Sequence, residues 1–304
     1  MAQRFTDAKG VFRSAVGKQL VHDRYRSILQ AWPTAHQQIQ MPTCQGETFV
    51  LACGPQQAPP LVLLHGGATT SAMWLRSLGA WSQHFRVYAV DLIGEPGFSA
   101  PSRPPWASDA HARWLDDVWS GLALTRASVV GASQGGWVAL DFAIRRPAKL
   151  HCLALLAPAG VGRVRPGFVF KVAPLLVLGA WGRRKAFDLT MGLLPGEMST
   201  EEEAFISFME LVMAHFVYRT APFPLFTEPM LRTLTLPVLA VVGGQDAVFR
   251  SDETRRRLQT CAPQSRVHYL PAAGHGLTDQ TAPILDFLLD SQSPGGLWQH
   301  RTPA

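Results

Sequence analysis

Cysteine is scarce in this chain. The four present, Cys44, Cys53, Cys152 and Cys261, are scattered without a C-x-x-C pair. That spacing excludes a disulfide framework and a cysteine-based zinc site, and the thiols read as reduced in a reducing compartment. No H-E-x-x-H and no other cluster with metal-ligand spacing occurs, so no metal is expected. No apolar run reaches the length of about 18 residues that suggests a bilayer span. The nearest, Phe168 to Trp181, is broken by Lys171, Pro174 and Gly179. The N-terminal stretch carries Arg4, Lys9, Arg13, Lys18, Arg24 and Arg26 and no apolar segment, so no cleavable signal is expected and the cytoplasm is the expected location. A net charge of +6 without a dense Lys/Arg run argues against a nucleic-acid partner. Gly160-Val161-Gly162 continues to Arg165 rather than to glycine, so the dinucleotide fingerprint fails and no cofactor is expected.

A hydrophobic content of 47% against 16% charged residues describes a folded globular chain. Short apolar runs recur along it: Thr48 to Ala52, Leu61 to Leu64, Val87 to Val90, Ser128 to Val130, Cys152 to Leu156, Val238 to Val242 and Val267 to Leu270. Continuous runs of this length fit strands covered on both faces, as in a parallel sheet. Helical patterns separate them. Ser108 is read as the cap of a helix carrying Trp114, Leu115, Val118 and Leu122 on one face, and Trp137, Leu140 and Ile144 define another that Pro147 ends. Strands alternating with helices predict an α/β fold. The alternation lapses between about Val161 and Leu234. There a capping box, Thr200 with Glu203, precedes Phe205, Phe208, Met209, Val212 and Phe216 at helical spacing. The expected layout is an N-terminal helix or arm over 1–34, a core over 35–160 and 234–292, a helical cap over 161–233 between two sheet strands, and a flexible tail over 293–304.

Gly131-Ala132-Ser133-Gln134-Gly135 fits G-x-S-x-G between a strand and a helix. That context makes Ser133 a candidate nucleophile on a sharp turn, with Gly131 and Gly135 relieving crowding; the alternative is a plain glycine-rich turn. A serine hydroxyl needs a base to take its proton and donors to hold the oxyanion. Leu63-Leu64-His65-Gly66-Gly67 is a second strand running into a glycine turn. The Gly67 N–H, with the N–H of Gln134, is the expected oxyanion hole, and Gly66 supports the turn. His65 reads either as a base or, more simply, as a residue holding the turn by hydrogen bonding. Asp246 follows the strand Val238 to Val242, and His275 lies between Gly274 and Gly276 after the next strand. Asp246 alone could be a solvated turn residue, but the order Ser133, Asp246, His275 is that of one triad family.

With these motifs, and with Pro59 to Gly66, Ser71 to Trp74 and Tyr88 to Gly94, the chain resembles the α/β-hydrolase superfamily, and within it the capped bacterial serine carboxylesterases. The resemblance covers nearly everything from about residue 36. It implies a mostly parallel eight-stranded sheet flanked by helices, with Ser133 as nucleophile, His275 as base and Asp246 as the acid that orients it. It implies hydrolysis of small to medium carboxylic esters, with a small-molecule ester as substrate; the chain is expected to be a monomer or homodimer. The same triad also supports C–C bond hydrolysis or lactone opening, and a slow-turnover ligand receptor on the same scaffold is a further alternative. After Asp91 the chain departs from many relatives, with Ile93-Gly94-Glu95-Pro96-Gly97 where they carry proline, glycine and histidine. The cap holds two more features. Phe168, Phe170, Trp181, Phe205, Phe208, Phe216 and Phe223 either form its core or, in part, line a lid over Ser133. Arg163, Arg165, Lys171, Arg183, Arg184 and Lys185, with no acid among residues 161–187, are either solvated faces or a basic rim for anionic substrates or a membrane surface.

Overall fold

The structure is a computed structural model and describes residues 10–192, 200–277 and 279–293. The C-terminal tail from residue 294 and the capping-box side chain of Thr200 lie outside the described residues.

The strands are β1 (His36–Thr43), β2 (Gly46–Cys53), β3 (Pro60–Leu64), β4 (Arg86–Val90), β5 (Ala127–Ala132), β6 (Leu150–Leu156), β7 (Val238–Gly243) and β8 (Arg266–Leu270). They form one 8-stranded sheet in the order β1-β2-β4-β3-β5-β6-β7-β8. β1, β2 and β4 pair antiparallel and every other neighbour pairs parallel. The helices are α1 (Ala15–Ala31), α2 (Leu75–Trp81), α3 (Ala110–Gly121), α4 (Gln134–Arg145), α5 (Gly167–Leu176), α6 (Gly179–Met191), α7 (Thr200–His215), α8 (Glu228–Arg232), α9 (Ser251–Cys261) and α10 (Thr281–Gln292).

Because strand side chains alternate between faces, a run such as Leu61-Val62-Leu63-Leu64 feeds two cores at once. Val62 and Leu64 join Trp114, Leu115, Leu140 and Leu258 beneath α3, α4 and α9. Leu61 and Leu63 join Tyr25, Trp81, Phe208 and Phe287 beneath α1, α2, α7 and α10. β1 is a different case: its sequence, HQQIQMPT, is largely polar and only Met41 is fully buried, so it carries no apolar run. Its ladder to β2 runs without interruption from His36↔Cys53 to Thr43↔Gly46, and the turn closes at Gly46, whose φ of 103° suits glycine. The α3 cap also differs from the sequence expectation. Asp109, not Ser108, is the N-cap residue, and the Ser108 hydroxyl instead donates to Pro105 O while accepting weakly from Ala110 N–H at 3.4 Å.

Between β6 and β7 the chain carries α5 to α8. Its aromatic residues mostly build cores rather than a lid. Phe208 stacks on Tyr25 of α1 at 5.9 Å between centroids, Phe216 lies against Phe12 and Phe223 against Trp106 at 4.7 Å. Phe170 and Trp181 face solvent, 81% and 60% exposed. The segment is joined to the sheet through the end of α6: Gly276 N–H donates to Met191 O at 2.8 Å, and Gly192, left-handed at φ 68°, packs on Gly274.

Candidate active site

Ser133 stands where β5 ends and α4 begins, at φ 49° and ψ −110°. A serine seldom adopts a positive φ, and three backbone bonds hold it there: Ser133 N–H donates to Leu156 O at 2.8 Å, and Ser133 O accepts from Ala159 N–H at 3.0 Å and Trp137 N–H at 3.1 Å. The turn leaves no room for side chains around it. A Cβ on Gly131 would sit 2.7 Å from Gly135 O, and one on Gly135 would sit 2.1 Å from Leu64 O. The strained turn thus packs directly against the end of β3.

Two further strand ends bring the rest. Asp246 follows β7 and is buried. Its Oδ1 accepts from Val248 N–H at 2.7 Å and Phe249 N–H at 3.0 Å, while Oδ2 lies 2.9 Å from His275 Nδ1. The His275 Nε2 lies 3.2 Å from Ser133 Oγ. The β7 and β8 loops are tied by Gly244 N–H to Leu270 O at 2.8 Å and Gln245 N–H to Ala273 O at 2.9 Å. The Phe249 ring stands 5.4 Å from the imidazole. A carboxylate on one imidazole nitrogen favours the tautomer whose other nitrogen accepts a proton, and that nitrogen faces the serine hydroxyl.

Across from Ser133 runs the turn after β3. A Cβ on Gly66 would lie 3.7 Å from Ser133 Cβ, and the Gly66 N–H points to Met73 Sδ at 3.2 Å. The N–H groups of Gly67 and Gln134 make no hydrogen bond among the described residues. Gln134 is the first residue of α4, where N–H groups lack helical partners and the dipole favours negative charge. The arrangement is therefore a hydroxyl, an imidazole and a buried carboxylate in hydrogen-bonding sequence, beside two uncommitted donors.

Residues 61–287 match the alpha/beta hydrolase family. The chain belongs to that family. Over 268 residues it is 30% identical to carboxylesterase YbfK of Bacillus subtilis, spanning 84% of this chain and 88% of that one. The crystal structure of that carboxylesterase superposes with a TM-score of 0.77 at 28% identity, covering 90% of this chain and 98% of that one. The naproxen esterase of Bacillus subtilis superposes at 0.78 with 26% identity, covering 91% and 98%.

Within this hydrolase, His65 is buried and is engaged on both sides. Leu92 N–H donates to its Nε2 at 2.9 Å, so the proton sits on Nδ1 and is donated to Gly66 O at 2.7 Å. Burial lowers its pKa. The ring thus ties the β3 turn to the β4 turn. Two acids in the β4 turn escaped the sequence reading as structural groups. Asp91 accepts from Tyr25 OH at 3.0 Å, Ser71 N–H at 2.9 Å and Phe98 N–H at 2.9 Å, and so binds α1 to the turn. Glu95 reaches back toward the β3 turn and Gln134. Of the basic cap residues, Arg184 pairs with Asp188 at 2.9 Å and Arg163 with Glu253 at 3.4 Å, while Arg165 donates to Phe249 O at 3.3 Å. Local partners account for these three; Lys171 and Lys185 are exposed. Among the described residues there is no cluster of metal-ligating side chains and no helix long and apolar enough to cross a membrane.

Proposed function

We propose that this hydrolase is a serine carboxylesterase that cleaves small to medium carboxylic esters through an acyl-enzyme. Ser133 Oγ attacks the ester carbonyl while His275 Nε2 takes its proton. The N–H groups of Gly67 and Gln134 hold the oxyanion of the tetrahedral intermediate. The protonated His275 then gives its proton to the departing alkoxide, leaving an acyl-serine. In the second half His275 takes a proton from water, whose oxygen attacks the acyl carbon; as the acyl–Oγ bond breaks, His275 returns that proton to Ser133 Oγ, releasing the acid and restoring the free enzyme. Asp246 holds the imidazole tautomer throughout and stabilises the imidazolium. The observation that carries the reading is the relay from Asp246 through His275 to Ser133, with contacts of 2.9 and 3.2 Å. Sequence similarity to carboxylesterases over most of the chain supports an ester as the bond cleaved. The likeness to a naproxen esterase supports including esters of bulky aryl acids within its range. The free cysteines, three of them buried, fit a reducing compartment and support a cytoplasmic location.

The test is turnover of p-nitrophenyl acetate, butyrate, octanoate and arylacetate, with Ser133→Ala alongside. The wild type should turn over repeatedly. Ser133→Ala should stay folded and lose activity by several orders of magnitude, down to the residual rate of about 10³–10⁴ over water. Fluorophosphonate labelling should vanish with Ser133. Labelling that persists in Ser133→Ala would remove Ser133 from the reaction, and a single slow turnover by the wild type would favour a receptor.

A further inference from the structure

Glu95 lies in the turn after β4, and it is only 3% exposed. Its two oxygens point in different directions. Oε2 accepts from Ala68 N–H at 2.6 Å, and Oε1 accepts from Gln134 Nε2–H at 2.8 Å. Ala68 directly follows Gly67 and is held at φ 55°. The Gln134 side chain lies against Gly67 so closely that a Cβ there would be 2.9 Å from Gln134 Oε1. One carboxyl therefore closes a ring through Ala68, Gly67 and Gln134, and the two uncommitted N–H groups belong to members of that ring.

We propose that Glu95 is a positioning residue that sets the spacing of the Gly67 and Gln134 N–H groups, and hence the geometry of the oxyanion hole. This rests on the reading of those two groups as oxyanion donors. An ionised carboxyl accepts at both oxygens, as the ring requires. A neutral one carries a proton on one oxygen, which then meets an N–H. The ring survives that only if the Gln134 amide turns over, which aims its NH₂ at the Gly67 backbone. Burial pushes the Glu95 carboxyl up to about 7, opposed by its two hydrogen bonds and by Arg103 and Arg219 nearby. Tyr218 faces the same charge, and its phenol is pushed up mainly by burial and then by Glu95. On the other side, a cleft of about 450 Å³ beneath α1 puts Lys18, His22 and Glu47 in the same wall as Glu95. The neutral form therefore gains as pH falls through about 7, and the ring loosens on the acid side.

Glu95→Gln, Gln134→Ala and the double variant test this, with the rate of fluorophosphonate labelling of Ser133 read by mass spectrometry beside ester kinetics. Loss of one oxyanion donor outright costs about 10²–10³ in kcat, so a misplaced donor should cost about 10- to 100-fold. Labelling rate and kcat should fall together by that factor in Glu95→Gln, with KM within about threefold. The acid limb of its log kcat profile should lose one proton's worth of slope relative to wild type. The double variant should be no slower than Glu95→Gln, because both changes cut one link. Glu95→Gln within about threefold of wild type, or single effects that multiply in the double, would overturn the proposal. If Glu95→Gln does not fold, Gln134→Ala carries the same expectations, because it removes the side-chain arm and keeps the backbone N–H. A wild type that the probe leaves unlabelled at Ser133 overturns the nucleophile reading and this proposal together. A labelled wild type with an unaffected Glu95→Gln overturns this proposal alone.

Discussion

Under the proposed mechanism, replacing Asp246 by asparagine separates orientation of the His275 imidazole from support of the loop. Oδ1 is fixed by two backbone donors, Val248 N–H at 2.7 Å and Phe249 N–H at 3.0 Å. An asparagine keeps those bonds only by putting its carbonyl oxygen there. Its NH₂ must then occupy the place of Oδ2, 2.9 Å from His275 Nδ1. An NH₂ in that place donates to Nδ1 and forces the proton onto Nε2, which faces Ser133 and can no longer accept. The expected loss is about 10⁴ in kcat, or about 5.5 kcal/mol at about 1.36 kcal/mol per decade. The fold should be nearly untouched. Asp246→Ala should lose a similar amount of activity but also strand the Val248 and Phe249 N–H groups, one fully and one partly buried. At about 1–3 kcal/mol per unsatisfied group, it should melt roughly 5–10 °C lower. The assays are kcat on p-nitrophenyl butyrate and thermal unfolding by circular dichroism. Asp246→Asn keeping more than about a tenth of wild-type kcat would refute the tautomer argument. Equal melting of the two variants would refute the assignment of Oδ1 to the loop.

Tyr25→Phe removes one hydrogen bond to buried Asp91 while keeping the stacking on Phe98 and Phe208; it should cost about 1.5–3 kcal/mol in urea unfolding and leave kcat within about twofold. A silent Tyr25→Phe would mean that α1 is held by packing alone. Phe208→Ala should cost about 3–5 kcal/mol because its ring is fully buried, whereas Phe170→Ala and Trp181→Ala should stay within about 0.5 kcal/mol. A cost above about 1 kcal/mol at either exposed position would show that the α5–α6 pair is covered in solution.

Seven of the eight strands were visible in the sequence: β2 to β7 because an inner strand covered on both faces is written in apolar residues, and β8, half-buried at the far edge, through Val267, Tyr269 and Leu270. β1 was invisible for the converse reason. It lies at the edge of the sheet, and Gln37, Gln38 and Gln40 face outward, so its ladder is specified by pairing with β2 rather than by its own composition. The three residues that the structure brings together were legible because each sits in a glycine-bounded turn at a strand end, where steric demands restrict sequence. Glu95 was not, since its partners are a backbone N–H 27 positions away and a side chain 39 positions away, and neither contact leaves a periodic trace. The cap aromatics show the limit of composition. Spacing grouped Phe208 with Phe205 and Phe216, but packing decides the outcome: α7 docks on α1 and buries Phe208, while Phe170 on α5 and Trp181 on α6 are left facing solvent.

The contact between Gly192 and Gly274 carries a practical consequence. A Cβ on Gly192 would lie 2.7 Å from Gly274 Cα, and one on Gly274 would lie 2.6 Å from both Gly192 Cα and Met191 O. This bare backbone-to-backbone seam adjoins the loop that carries His275. Anyone exchanging residues 161–233 for the corresponding segment of a relative, to transplant its substrate range, must therefore preserve glycine on both sides of the seam. A donor segment with any other residue at position 192 would shift the His275 loop, and the chimera would lose turnover even if the new binding surface were perfectly formed.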